Sequence, residues 1–213
     1  MKTDDLIALL ANGTPPVDRR VPARRFSLAL LLGLASATVL MVLLLGFRPD
    51  LAEAVRVPMF WVRLAFATAV AAGALLLTVR LCRPGMPAGA GWTALSVPVA
   101  LAWAGAALVL LQAPAGTRGP LLLGHTWKVC STLIATLSLP SFAAMLWAIR
   151  GMAPVRLRLA GAAAGLLAGG TAAMAYCLHC PEMAPPFWST WYLLGMLIPA
   201  VIGALLGPRV LRW

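Results

Sequence analysis

The sequence predicts an all-α polytopic membrane protein, a six-transmembrane-helix bundle with both termini cytoplasmic and a short amphipathic helix ahead of it. Three observations carry this expectation. Of 213 residues, 62% are hydrophobic and 11% charged, against about 25% charged in a soluble domain. Six apolar runs, at 26–47, 60–79, 92–112, 126–149, 159–178 and 187–206, each match the roughly 20 helical residues that a hydrocarbon core requires. The basic residues stand at the ends of those runs instead of along one face. The net charge of +11 therefore reads as membrane topology and not as direct nucleic-acid binding.

Residues 1–25 form a cytoplasmic segment ahead of the transmembrane domain, 26–213. Residues 1–11 read as a short helix. Thr3 suits its N-cap, Asp4 and Asp5 complement the dipole of the first turn, and Leu6, Ile7, Leu9 and Leu10 make an apolar face. Asn12-Gly13 is expected to stop the helix and Thr14-Pro15-Pro16 to form a linker. So short a helix is marginal alone in water, so it needs a surface. That surface is either the bilayer and the protein's own inner loops, or a groove on a cytoplasmic partner protein. The acidic polar face speaks against the bilayer, where interfacial helices carry Lys and Arg. No cleavable signal peptide is expected, because the first apolar run follows Arg24-Arg25 and exceeds the roughly 7–15 residues of a signal core.

The first span has no charge between its ends. Arg63 and Lys128 fall within a turn of the starts of the second and fourth, where they are expected to snorkel to the interface. Pro98, Pro140 and Pro199 lie inside spans and are expected to bend them. The links are short and rich in Pro, Gly and Arg, as in Cys82-Arg83-Pro84-Gly85. In the fifth run Gly161, Gly165 and Gly169 recur every four residues, a spacing that lets two helix backbones approach. Packing within the bundle is the expected use of that face, ahead of dimerisation. With the N-terminus inside, twelve basic residues are cytoplasmic: Lys2, Arg19, Arg20, Arg24, Arg25, Arg80, Arg83, Arg150, Arg156, Arg158, Arg209 and Arg212. Five are outside: Arg48, Arg56, Arg63, Arg118 and Lys128. This asymmetry sets the orientation by the positive-inside rule.

The same topology gathers Cys130, Cys177, Cys180, His125 and His179 at the outer face and leaves Cys82 inside. Thiolates and imidazoles bind soft and borderline cations such as Cu, Zn or Cd. Cys177-Leu178-His179-Cys180 is also a C-x-x-C element, a spacing used in disulfide exchange. A structural disulfide, or plain packing of small apolar side chains, competes with both uses. No obligatory cofactor is expected. There is no Ser/His/Asp constellation, carboxylate pair or phosphate loop to indicate an enzyme. The absence of Asp or Glu inside the spans argues against an ion-coupled pump.

Several stretches resemble the NrsF-like family of six-span negative regulators of extracytoplasmic-function (SigF-type) sigma factors. They are Met1-Lys2-Thr3-Asp4-Asp5-Leu6-Ile7, Leu45-Gly46-Phe47-Arg48-Pro49-Asp50-Leu51, Gly124-His125-Thr126-Trp127 with Cys130, His179-Cys180-Pro181-Glu182, and Leu206-Gly207-Pro208-Arg209. The resemblance covers nearly the whole chain. It implies a bacterial inner-membrane anti-sigma factor that binds its sigma factor through cytoplasmic segments and releases it when heavy metal or oxidative stress acts on cysteines. The matching thiols are Cys130 and Cys180, with Cys177 an extra. Two other functions compete with it: a quinone-linked membrane thiol–disulfide oxidoreductase, suggested by the C-x-x-C, and a small metal transporter.

Overall fold

The computed structural model describes residues 3–13, 20–83, 85–152 and 154–212. The linker expected at Thr14-Pro15-Pro16, and Pro84 of the second link, lie outside them. Among the described residues there are ten helices and no strand: α1 (Thr3–Gly13), α2 (Val21–Leu44), α3 (Leu51–Ala54), α4 (Pro58–Leu81), α5 (Gly89–Gln112), α6 (Ala115–Leu123), α7 (Trp127–Leu137), α8 (Leu139–Arg150), α9 (Leu157–Tyr176) and α10 (Pro185–Val210). Six stretches are long and apolar enough to cross a membrane: α2, α4, α5, the α6–α8 run Ala115–Arg150, α9 and α10.

The expected boundaries shift where local chemistry dictates. Pro22 occupies the first turn of α2, where a missing N–H costs nothing. The helix thus takes in Arg24 and Arg25, and the boundary read at residue 25 falls inside it. The fourth span is two helices, broken at Ser138. Pro140 cannot donate to the carbonyl four residues back, and Ser138 Oγ donates to the Ala135 carbonyl at 2.6 Å. The link before that span holds a helix of its own, α6, which buries no residue.

The bundle is built around α9, which packs against α10, α4, α8, α2 and α7. Fifteen of its 20 residues are buried. It is also the least hydropathic of the six candidate spans, for a physical reason. A helix surrounded by protein need not be lipophilic; it must be thin. A Cβ on Gly161 would strike the Gly203 carbonyl, and one on Gly165 the carbonyl of Pro199. At Gly169 it would come within 2.7 Å of Met196 Cα. On α10, Gly203 meets Gly161 and Gly207 meets the carbonyl of Leu157 in the same way. Where α2, α8 and α9 meet, Ser141 and Thr171 share a buried hydrogen bond of 2.8 Å, and Gly33 leaves room for the Ser141 hydroxyl.

The bundle has two distinct ends. At the proximal end, where α2 begins, Arg25 lies against Gly151 and Leu157 against Gly207. At the distal end, where α2 stops, the loop after α2 meets the loop after α9. Exposed tryptophans stand toward both ends, Trp92 and Trp147 toward the proximal and Trp61 and Trp127 toward the distal. Trp103, midway along α5, is exposed as well.

Candidate functional site

The distal end is organised by the turn Cys177–Ala184, which carries α9 into α10. The last carbonyls of a helix have no partner inside it. Those at the end of α9 are met by a side chain from another helix. Arg63, on α4, has no solvent exposure. Its Nη2 donates to the Cys177 carbonyl at 2.9 Å, and its Nη1 to the carbonyls of Cys180, at 3.1 Å, and Glu182. The guanidinium also lies 5.7 Å from the ring centre of Phe60 and 5.8 Å from that of Tyr192. This corrects the expectation that Arg63 snorkels to the interface. A helix C-terminus is a favourable place for a cation, and its bare carbonyls lie within reach of the guanidinium. Lys128, the other cation expected to snorkel, is exposed and sits beside the Trp127 ring.

A second arginine holds the same turn from the other side. Arg48 Nη1 donates to the Cys180 carbonyl at 3.2 Å, and its backbone N–H to the Leu178 carbonyl at 3.3 Å. Its Nε and Nη2 form a fork on Asp50 at 2.7 and 2.6 Å, which holds the Asp50 carboxyl below its ordinary value. His179 Nδ1 is 3.0 Å from the Gly46 carbonyl. The turn is therefore tied by its backbone to α4 and to the segment that ends α2.

A third attachment runs to the start of α7. Glu182 Oε1 accepts the His125 backbone N–H at 2.7 Å. Gly124 next to it has φ +57, and a Cβ there would come within 2.8 Å of the Glu182 carboxyl carbon and 2.7 Å of Phe187. Only glycine fits both the conformation and the close approach. The His125 ring itself is almost fully exposed, 3.5 Å from the same carboxylate oxygen.

These ties bring two thiols together. Cys130, from α7, and Cys180, from the turn, are both fully buried and are neighbours, each acting on the other electrostatically. Tyr176 shares in that contact. The neighbouring Cys130 is the main cause holding the Cys180 thiol below its ordinary value, with the charge of Arg63 adding to it against the opposing effect of burial. Cys177 is also buried but turns toward Tyr192 and Arg63, and burial pushes its thiol up to about 11. Neither imidazole joins the sulfurs, since His179 is engaged by the Gly46 carbonyl and His125 points outward. Among the described residues no three of His, Cys, Asp and Glu converge to hold a metal ion. Cys82 is buried at the proximal end, and burial pushes its thiol up to about 12. The α1 residues Thr3, Asp4, Asp5, Leu6, Ile7, Leu9 and Leu10 are all exposed.

Three separate stretches thus meet at one place: Gly46–Asp50, Gly124–Cys130 and His179–Glu182. A protein-family model described as NrsF, negative regulator of sigma F, matches residues 10–213. The chain belongs to this family. It is 52% identical over 213 residues, the full length of both chains, to a protein of Azospira oryzae named probable anti-sigma-F factor NrsF. It is 41% identical over 218 positions, again the full length of both, to the anti-sigma-F factor NrsF of Caulobacter vibrioides. No solved structure matches it.

Sequence reading missed Arg63, Arg48, Tyr176 and Tyr192 as members of this NrsF site. For Arg63 the signal was available. A charge inside an apolar run is a functional candidate by default, and its nearness to the helix start concealed that.

Proposed function

We propose that this chain is an anti-sigma factor of a bacterial inner membrane. It holds an extracytoplasmic-function sigma factor at the cytoplasmic face and releases it when Cys130 and Cys180 are joined. The observation that carries this reading is the buried Cys130–Cys180 contact at the end of the bundle where α2 stops, remote from the end where the N-terminal segment enters. The names of the two relatives support the sigma-factor partner. The arginine asymmetry supports cytoplasmic termini and, with them, thiols on the outer side.

The donor set limits the chemistry. A four-coordinate zinc ion needs more ligands than the two sulfurs offer. Two adjacent thiols suit a soft, two-coordinate ion such as Cu(I). They also suit oxidation to a disulfide, with two protons and two electrons passing to the oxidant. Either event draws α7 and the 177–184 turn together. The turn is hydrogen-bonded to the segment that closes α2, so the shift bears on the helix that leads back to the N-terminal segment. The exposed apolar side chains of α1 then serve as the docking face for the sigma factor. The oxidoreductase alternative calls for an accessible Cys177–Cys180 pair. Both thiols are fully buried, and Cys180 neighbours Cys130.

The test uses single Cys130→Ser and Cys180→Ser variants in cells carrying a reporter driven by the cognate sigma factor. Each should hold the reporter at its unstressed level under Cu or Cd, while Cys82→Ser responds normally. A full response in both single variants would remove the thiol pair from the sensing step.

A further inference from the structure

At the proximal end, opposite the thiols, the α4–α5 loop and the α8–α9 loop enclose a cavity of about 400 Å³. Arg80, Arg83 and Arg156 line it, with Met86, Pro87 and Val155 as its apolar wall. Arg80 is anchored by a 2.9 Å hydrogen bond from Nη1 to the Pro87 carbonyl. Its Nε is buried and has no hydrogen-bond partner among the described residues.

Among the described residues no acid forms an ion pair with Arg80, Arg83 or Arg156. The acidic residues from position 20 onward are Asp50, Glu53 and Glu182, and all three belong to the distal end. The cavity's depth is marked independently by exposed Trp92, in the first turn of α5, and exposed Trp147, near the end of α8. The Arg25 guanidinium lies 5.5 Å from the Trp147 ring centre. Interfacial tryptophans stand at headgroup level, so the cavity opens where phosphates lie.

We propose that this cavity binds the phosphate of an anionic phospholipid. Arginine forks match phosphate oxygens in pairs, and the apolar wall suits the glycerol and the first methylenes of the chains. Basic pockets between membrane helices take anionic headgroups in this way. The ligand bridges the loop after α4 to the loop before α9 and fixes the proximal end of the central helix. This inference rests on reading the six helices as membrane spans.

The test is native mass spectrometry of the full chain extracted from membranes in neutral detergent. The protein is offered phosphatidylglycerol, phosphatidylethanolamine, or phosphatidylglycerol with excess inorganic phosphate. The wild type should retain phosphatidylglycerol about tenfold better than phosphatidylethanolamine, and free phosphate should not displace it. The variant Arg80→Gln/Arg83→Gln/Arg156→Gln should lose the preference. The variant Arg158→Gln/Arg209→Gln/Arg212→Gln, which removes equal charge from the same end outside the cavity, should keep it. If the first variant does not stay monodisperse, the lysine triple at the same positions replaces it and should retain only part of the preference. Equal loss in both glutamine variants would mean diffuse charge attraction and overturn the proposal. So would a wild type without preference, or displacement by inorganic phosphate, which would mark a site for soluble phosphate. A protein absent from the membrane fraction would overturn the span reading and this proposal with it.

Discussion

Arg63 is one side chain meeting three carbonyls of the 177–182 turn, fully buried and without a carboxylate partner. Its removal strands the Cys177 and Glu182 carbonyls and leaves the Cys180 carbonyl to Arg48 alone. Arg63→Met should cost about 3 kcal/mol, since each orphaned buried acceptor costs roughly 1–3 kcal/mol. Arg63→Lys should recover part of this, because an ammonium lacks the fork that spans separate carbonyls. Thermal melts in detergent read both values; a melt of the methionine variant equal to that of the parent would refute the role. At this scale the sequence was partly legible. The residue types at Cys130, Cys180 and Gly124 announced chemistry or close approach. That Cys180 and not Cys177 is the neighbour of Cys130 depends on side-chain directions after a helix end, which spacing does not encode. The same holds for His125 and His179, whose rings are drawn away by Glu182 and the Gly46 carbonyl.

Among the elements, α9 shows best why composition and position agree. Its small residues lower hydropathy yet allow α10 to lie backbone to backbone against it. Adding a side chain at the crossing forces the helices apart. Gly203→Leu should therefore destabilise the bundle by about 3 kcal/mol or prevent assembly, at or beyond the upper end of the usual 1–3 kcal/mol for overpacking. Gly105→Leu on α5, where a Cβ meets nothing within 4 Å, should be tolerated. Yield of monodisperse protein and its melting temperature compare the two. The other element with a distinct prediction is α1. Deleting residues 1–11 should free the sigma factor and give full reporter output without stress; continued repression by the truncated chain would move the docking face elsewhere. The six spans were legible because hydropathy and length are enough to find them. The break at Ser138 and the separate helix α6 were not, because Pro140 permits several outcomes and neighbouring helices select one.

For the molecule as a whole, the proposed function puts input and output at opposite ends. Three of the four thiols lie at the distal end with every acid from Asp50 onward, and arginines crowd the proximal end beside the N-terminal segment. Sequence alone supplied this polarity through its count of basic residues. It did not supply the ties from the 177–184 turn to α4, α7 and the end of α2, which are tertiary hydrogen bonds between residues more than fifty positions apart.

The most direct measurement is a pull-down of sigma factors by the intact protein, with and without Cu(I), comparing wild type with Cys130→Ser/Cys180→Ser. The wild type should capture its sigma factor in the absence of the ion and lose it when the ion is added, while the double variant holds it under both conditions. Release from both proteins alike, or capture by neither, would contradict a thiol-gated anti-sigma factor.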